Sequence, residues 1–345
     1  LADEFSDELN NLGVRVSNLE DRVGNVKLTG DARVRYMKQG DTLKNDDSWQ
    51  FRGRLRANAK INDRADAVVG VNYNSNFSST DAASADKDKF FVDRAYVNYA
   101  LDAGKKFNVM VGRYEYDLGN ASGIQYGDNF DGAQLKFSGD HWALTGGYGK
   151  FKEGDNEASA TSVGSLLDVK TGYVSLDGTW DDFGAGIYYN HFDGKKAEAA
   201  NLDHIFGGYV SVNLAKKWNL MGDYQRVEKV KEKAAVAGTS AENKSGNIWG
   251  AKLQYGQSVP EEKGTWDAWV DYVRADKGAF YGNTANWRDN GYLGYEHGVK
   301  GWGVGFDYTL AKNVVLAVGQ TFGTKSVDNG TKQKEYTSAE LDFFF

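Results

Sequence analysis

From Val26 to Phe345 the apolar and polar positions alternate with a period of two, interrupted only by polar connections. The stretch 48–61, SWQFRGRLRANAKI, shows it most plainly. Trp49, Phe51, Gly53, Leu55, Ala57, Ala59 and Ile61 fall on one face, and Gln50, Arg52, Arg54, Arg56, Asn58 and Lys60 on the other. That period belongs to extended strands, whose side chains point alternately to opposite faces. Val26, Leu28, Gly30, Ala32, Val34 and Tyr36 alternate in the same way with Lys27, Thr29, Asp31, Arg33 and Arg35. Followed to the end of the chain, the pattern predicts about sixteen strands of about 10 residues, the length that crosses a bilayer at a tilt.

The connections alternate too. Short ones fall at 62–63, 102–105, 139–140, 179–182, 215–217 and 311–313, with a somewhat longer one at 256–264. Long polar ones lie between them, near 39–47, 78–89, 115–129, 152–166, 192–203, 229–245, 276–298 and 325–333. Short turns on one rim and long loops on the other are the mark of an up-and-down membrane barrel. Trp49, Tyr73, Trp142, Tyr189, Trp218, Tyr255, Trp266, Trp302 and Tyr308 stand near stripe ends, where interfacial girdles form. A soluble sandwich would need a second sheet over every apolar face and has no reason to keep that order of connections. The expected fold is therefore all-β, a transmembrane antiparallel β-barrel of about 16 strands over residues 26–345.

Residues 1–25 carry a different period. Phe5, Leu9, Leu12, Val16, Leu19, Val23 and Val26 are spaced alternately four and three apart. This heptad seam predicts a short coiled-coil stalk, with Arg15 and Glu20 placed to pair across a parallel interface. The opening falls mid-pattern at Leu1, which predicts a further segment upstream.

Composition refines the picture. A mean hydropathy of −0.59 and the lack of a long apolar run would class the chain as soluble. A barrel escapes that test, because its lumen-facing half averages the signal away. Cysteine is absent, so no disulfide, thiol or thiolate–zinc chemistry is expected. His141, His191, His204 and His297 are scattered without metal-ligand spacing, and no nucleophile–base set stands out. No enzyme activity, cofactor or metal is expected. The net charge of −7 argues against a nucleic-acid binder.

With apolar stripes on lipid, the polar phase lines water. Arg33, Arg35, Arg52, Arg54, Arg56, Arg94 and Lys136 fall in that phase, and Arg113 lies at the mouth of the third long connection. The stretch EYDLGNASGIQYGDNFD offers Glu115, Asp117, Asp128 and Asp131, with Gly119, Gly123 and Gly127 permitting a compact fold. Carboxylates facing wall arginines would set a transverse field across a constriction.

Three stretches resemble known porins. The terminal LDFFF, ending on Phe345, is similar to the insertion signal of bacterial outer-membrane proteins. VDRAYVNYALDAGKKFNVMVGR, 92–113, is similar to the strand–turn–strand that precedes the third loop of general trimeric porins. The opening LADEFSDELNNLGVRVSNLEDRV resembles the linker after the S-layer-homology domain in OmpM-type porins of diderm Firmicutes. That resemblance implies a homotrimeric outer-membrane porin passing small hydrophilic solutes and ions by passive diffusion. It implies a third loop turned into the lumen and a periplasmic stalk that tethers the membrane to the cell wall through an upstream domain absent from this sequence. The implied partners are the lipid bilayer, lipopolysaccharide, the barrel-assembly machinery, the cell wall and two further copies of the chain. Two other readings stand beside it: a sugar-selective channel using inward Tyr96, Tyr114, Tyr188 and Tyr209, and a plugged structural barrel.

Overall fold

A computed structural model describes residues 24–40, 47–77, 88–118, 123–152, 166–230, 245–282, 284–288, 290–293 and 297–345. The stalk residues Phe5, Leu9, Leu12, Val16, Leu19 and Val23 lie outside them, so the expected coiled coil is not among the described elements. Gly24 and Asn25 form a turn into the first strand.

Sixteen strands follow: β1 Val26–Gln39, β2 Asp47–Lys60, β3 Ala65–Asn76, β4 Asp88–Ala100, β5 Phe107–Leu118, β6 Tyr126–Ser138, β7 Trp142–Phe151 and β8 Lys170–Trp180. The second set is β9 Phe183–Asp193, β10 His204–Ala215, β11 Trp218–Glu228, β12 Gly246–Gln257, β13 Trp266–Ala275, β14 Val299–Ala311, β15 Val314–Lys325 and β16 Tyr336–Phe344. A short helix, α1 Gly194–Ala199, sits in the β9–β10 connection. Each strand pairs antiparallel with its sequence neighbours, and β16 returns to β1 to close the barrel. Closure leaves no unpaired edge, the condition for strands to cross a hydrocarbon layer. At the seam Gly30 and Phe345 exchange both backbone hydrogen bonds, at 2.8 and 3.0 Å. Gly30 suits this place because a Cβ there would lie 2.5 Å from the Phe345 ring.

The apolar phase faces outward. Leu28, Val69 and Ile187 are each more than half exposed (62%, 56% and 64%), and such residues recur on strand after strand around the barrel. A water-soluble monomer does not present a continuous apolar surface of that kind. Aromatic pairs mark both rims, such as Tyr36–Trp49 near the long loops and Trp218–Tyr255 near the short turns. Among the described residues no helix is long and apolar enough to cross a membrane.

Two local departures from strict alternation shape the lumen. Opposite Gly70 and Val71 the register of β4 slips, so that Asp93 and Arg94 both turn inward between outward Val92 and Ala95. This is a β-bulge, which re-aims side chains where it occurs. Gly70 makes room for it: a Cβ there would lie 2.5 Å from Asp93 Oδ1.

The second departure replaces the expected loop 115–129. β5 runs on to Leu118 and β6 begins at Tyr126, so most of that segment is a hairpin. β4 pairs with β5 only as far as Arg113, and β7 pairs with β6 only from Phe130. Beyond those points the ladder of each strand continues only with the other, apart from a bond of 2.9 Å from Lys152 N to the Asn129 carbonyl, and the hairpin leaves the wall for the lumen. The apolar phase flips at the exit. Outward Phe107, Val109 and Val111 occupy odd positions, whereas buried Tyr114 and Leu118 and the inward-packed Tyr116 occupy even ones. Gly112 and Gly132 face each other at the flip. Gly112 has φ +131°, and a side chain on it would run into the Ala95 carbonyl. A Cβ on Gly132 would lie 2.5 Å from the Tyr148 carbonyl oxygen.

Candidate functional site: a constriction inside the barrel

The hairpin has two unlike faces. Tyr116 and Phe130 pack against Phe151 and Tyr173 of the β7–β8 wall, and Tyr114 against Phe130, with ring centroids 4.5 to 6.0 Å apart. Tyr114 Oη lies 3.0 Å from Tyr173 Oη, and Tyr116 Oη donates to Asn190 of β9 at 3.1 Å. The other face carries Glu115, Asp117, Gly127 and Asn129 in register. It turns toward β4, where Arg94 donates to Asn129 Oδ1 at 2.8 Å and pairs with Glu115.

Opposite that face stand the arginines of β1 and β2. Arg33 and Arg52 are directly opposite each other in register, an arrangement of like charges that by itself destabilises a sheet. Carboxylates compensate it. Asp31 accepts from Arg54 Nε at 2.8 Å and from Arg52 Nη2 at 2.9 Å. Arg33 lies 3.8 Å from Glu340 of β16, and Arg56 donates to Asp93 at 3.2 Å. Arg35 donates to the amide of Gln50 at 3.1 Å. Arg33, Arg35, Arg52, Arg54 and Arg94 line a cavity of about 230 Å³, with Glu115, Asp128 and Asn129 of the hairpin across it.

The remaining predicted residues are placed elsewhere. Arg56 lies beside the cavity on its Asp93 partner. Lys136 faces the lumen near the short-turn end of β6, opposite Asn108 and Thr145. Asp117 is on the hairpin against Gly127, outside the cavity lining. Arg113 and Asp131 require correction. They stand on the outward phase, in register with Ala95 and in line with Ala133, and pair with each other at 2.7 Å where the hairpin leaves the wall. Odd positions of β5 and β6 face out at that height, so neither residue lines the lumen. Tyr114 is only 1% exposed and sits in the aromatic cluster, which removes it from any sugar path.

A second segment also enters the lumen, one that the sequence pattern did not reveal. Residues 276–282 and 284–288 fold inward after β13. Gln125, fully buried at the hairpin turn, donates to the Ala279 carbonyl at 2.9 Å and accepts from Tyr281 N at 2.8 Å. Tyr281 Oη reaches the Ala200 carbonyl just past α1 at 3.1 Å. Lys229 Nζ donates to the Gly278 carbonyl and to Tyr281 Oη, and burial pushes its amine down to about 7. Thr284, Ala285 and Asn286 complete the lining of the arginine cavity. The alternating inward glycines Gly301, Gly303 and Gly305 of β14 were the available signal. A run of missing side chains on one strand face marks a close approach from within. Among the described residues no group of three or more His, Asp or Glu is placed to hold a metal ion.

No protein-family description matches the chain, and no curated protein matches its sequence. Solved structures do match in fold. A mutant of the Rhodopseudomonas blastica porin superposes with a TM-score of 0.57 at 12% identity, over 93% of this chain and 100% of that one. Salmonella typhi OmpF, in complex with daunomycin, gives 0.61 at 12% identity, over 94% of this chain and 99% of that one. At that identity the likeness concerns architecture, and the chain has a general-porin-like barrel.

Proposed function

We propose that this protein is an outer-membrane porin through which small hydrophilic solutes and ions diffuse passively. One observation carries the reading. A closed barrel, greasy outside, holds five arginines of the lumen in one cavity of about 230 Å³ with Glu115 of an inward hairpin. Nothing in such a site performs covalent chemistry. Fixed charges of opposite sign across a narrow passage sort solutes by size and dipole. The protein's own part is to hold that field in place.

The working unit in this reading is a homotrimer. The outward ion pair Arg113–Asp131 supports it, because charges facing lipid are costly and a neighbouring copy would cover them. The stalk over residues 1–25 then continues below the trimer and ties the membrane to the cell wall through an upstream domain. Phe345 serves as the insertion signal read by the assembly machinery, and lipid and lipopolysaccharide surround the barrel.

The test is reconstitution. Purified protein in planar bilayers should give discrete ohmic channels, and proteoliposomes should swell with small sugars at rates that fall as solute size rises. Unboiled gel migration and cross-linking should report three copies. A correctly folded protein that neither conducts nor supports swelling would leave the plugged structural barrel as the better reading.

A further inference from the structure

The arginine cavity has an opposite wall made by two segments, and the second has its own anchor. Thr284 Oγ1, Ala285 N and Asn286 N all donate to the Gly123 carbonyl of the hairpin turn, at 2.8, 2.8 and 3.1 Å. Gly123 sits at φ +60° with Ala285 directly against it, and a side chain on Gly127 would run into the Ala285 methyl. Glycine at both positions lets the two segments touch backbone to backbone. Two residues further on, Arg288 is fully buried and grips Asp271 of β13 with two hydrogen bonds, at 2.7 and 2.6 Å. Trp287 Nε1 donates to the same carboxylate at 3.0 Å. The Trp287 ring lies tilted against Trp269, with centroids 5.1 Å apart, and over Gly303 and Gly319, where Cβ atoms would come within 2.5 and 2.7 Å of it. Ala285 and Asn286 also line a second cavity of about 280 Å³, bounded by Trp269, Asp271 and Asp307. The tip 285–286 therefore stands between two open spaces of the lumen.

We propose that residues 284–288 form a second, fixed jaw of the constriction, and that the Asp271–Arg288 pair determines the largest solute admitted. The proposal rests on the channel reading above and goes beyond it by assigning the size limit to a segment other than the hairpin. A planar two-pronged guanidinium–carboxylate contact fixes orientation as well as distance. Removing one partner leaves the other buried without its counter-charge, which drives the segment out of its seat.

The experiment compares wild type, Arg288→Ala, Asn286→Asp and Asn286→Lys in planar bilayers and in liposome swelling. Wild-type channels must appear first, and their absence would count against the channel reading itself. Arg288→Ala is expected to raise single-channel conductance by about twofold, as a wider passage does, and to admit sugars that wild type excludes. Arg288→Ala channels with wild-type conductance and size limit would overturn the proposal. The Asn286 variants change a cavity-lining amide and leave the anchor intact, so they serve if Arg288→Ala does not insert. Asn286→Asp should move the reversal potential toward cations and Asn286→Lys toward anions. An identical reversal potential in both would put the tip outside the conducting path and overturn the proposal equally.

Discussion

The two sectors of the lumen are held together by opposite means. Between β1, β2, β4 and the hairpin, contacts are ion pairs around a cavity, several of them partly exposed. Between the hairpin and β7–β9, contacts are buried rings, among them Phe130, Phe151, Tyr173 and Phe192. The difference says which side positions the hairpin. An ion pair open to water contributes about 0–1 kcal/mol. A fully buried aromatic side chain contributes roughly 1.5–3 kcal/mol, with about 0.5–1.5 kcal/mol more from favourable ring geometry. The dry side therefore holds the hairpin, and the wet side receives Glu115 where the rings put it.

Breaking the dry side should have the largest effect. Phe130 is fully buried and touches Tyr114, Tyr116, Phe151 and Tyr173. Phe130→Ala should cost on the order of 3–5 kcal/mol locally. Its channels should be larger and noisier, and protease added on the long-loop side should cut the hairpin. Arg94→Gln should lose the Glu115 pair yet leave the hairpin seated and uncut. Equal mobilisation by the two changes would mean that charge, not ring packing, sets the hairpin's position.

The wet side should respond in selectivity more than in size. Replacing Arg52, Arg54 and Arg56 together by Glu would add three carboxylates beside Asp31 and Asp93 and remove the arginines that pair with them from β2. Cation over anion permeability should rise several-fold, read as a shift in reversal potential under a salt gradient. Correctly inserted triple-variant channels with the wild-type reversal potential would place these arginines away from the path.

How much of this was legible in the sequence follows from the physics of each part. The sixteen strands were, because lipid outside and water inside force alternation along each one, and the short and long connections fix the order of rims. The hairpin's exit was written as well, in the change from Phe107, Val109, Val111 to Tyr114, Tyr116, Leu118 across Gly112, although a strict period-two reading passes over it. Arg113 and Asp131 belong in the lumen only if they are grouped with the inward third connection, whereas strict alternation from Val111 and Ala133 keeps both outward. The bulge left the same kind of mark, since outward Val92 and Ala95 enclose two inward residues, and so Asp93 was overlooked. The jaw at 284–288 left none of its own. Thr284 to Arg288 read as any solvated loop, and only the Asp271 partner and the glycines of β14, brought near by folding, give them their place.

The smallest expected effect sits beside the hairpin turn, where Lys229 ties the end of β11 to the Gly278–Tyr281 stretch that also bonds Gln125. Its amine is pushed down to about 7 because burial penalises the charged form. In an unfolded chain the same amine titrates at about 10.4. Between those values the unfolded chain binds more protons than the folded one, so stability rises as pH rises through the window. Below about pH 7 both states carry the charge, and the full burial penalty is present. The thermal midpoint of the detergent-solubilised protein should therefore climb from about pH 7 to about pH 10. Lys229→Met should flatten that climb and show its largest gain over wild type at the acidic end, where it spares the penalty. A variant that climbs as steeply as wild type would assign the pH dependence to other groups and leave Lys229 with only its hydrogen bonds to Gly278 and Tyr281.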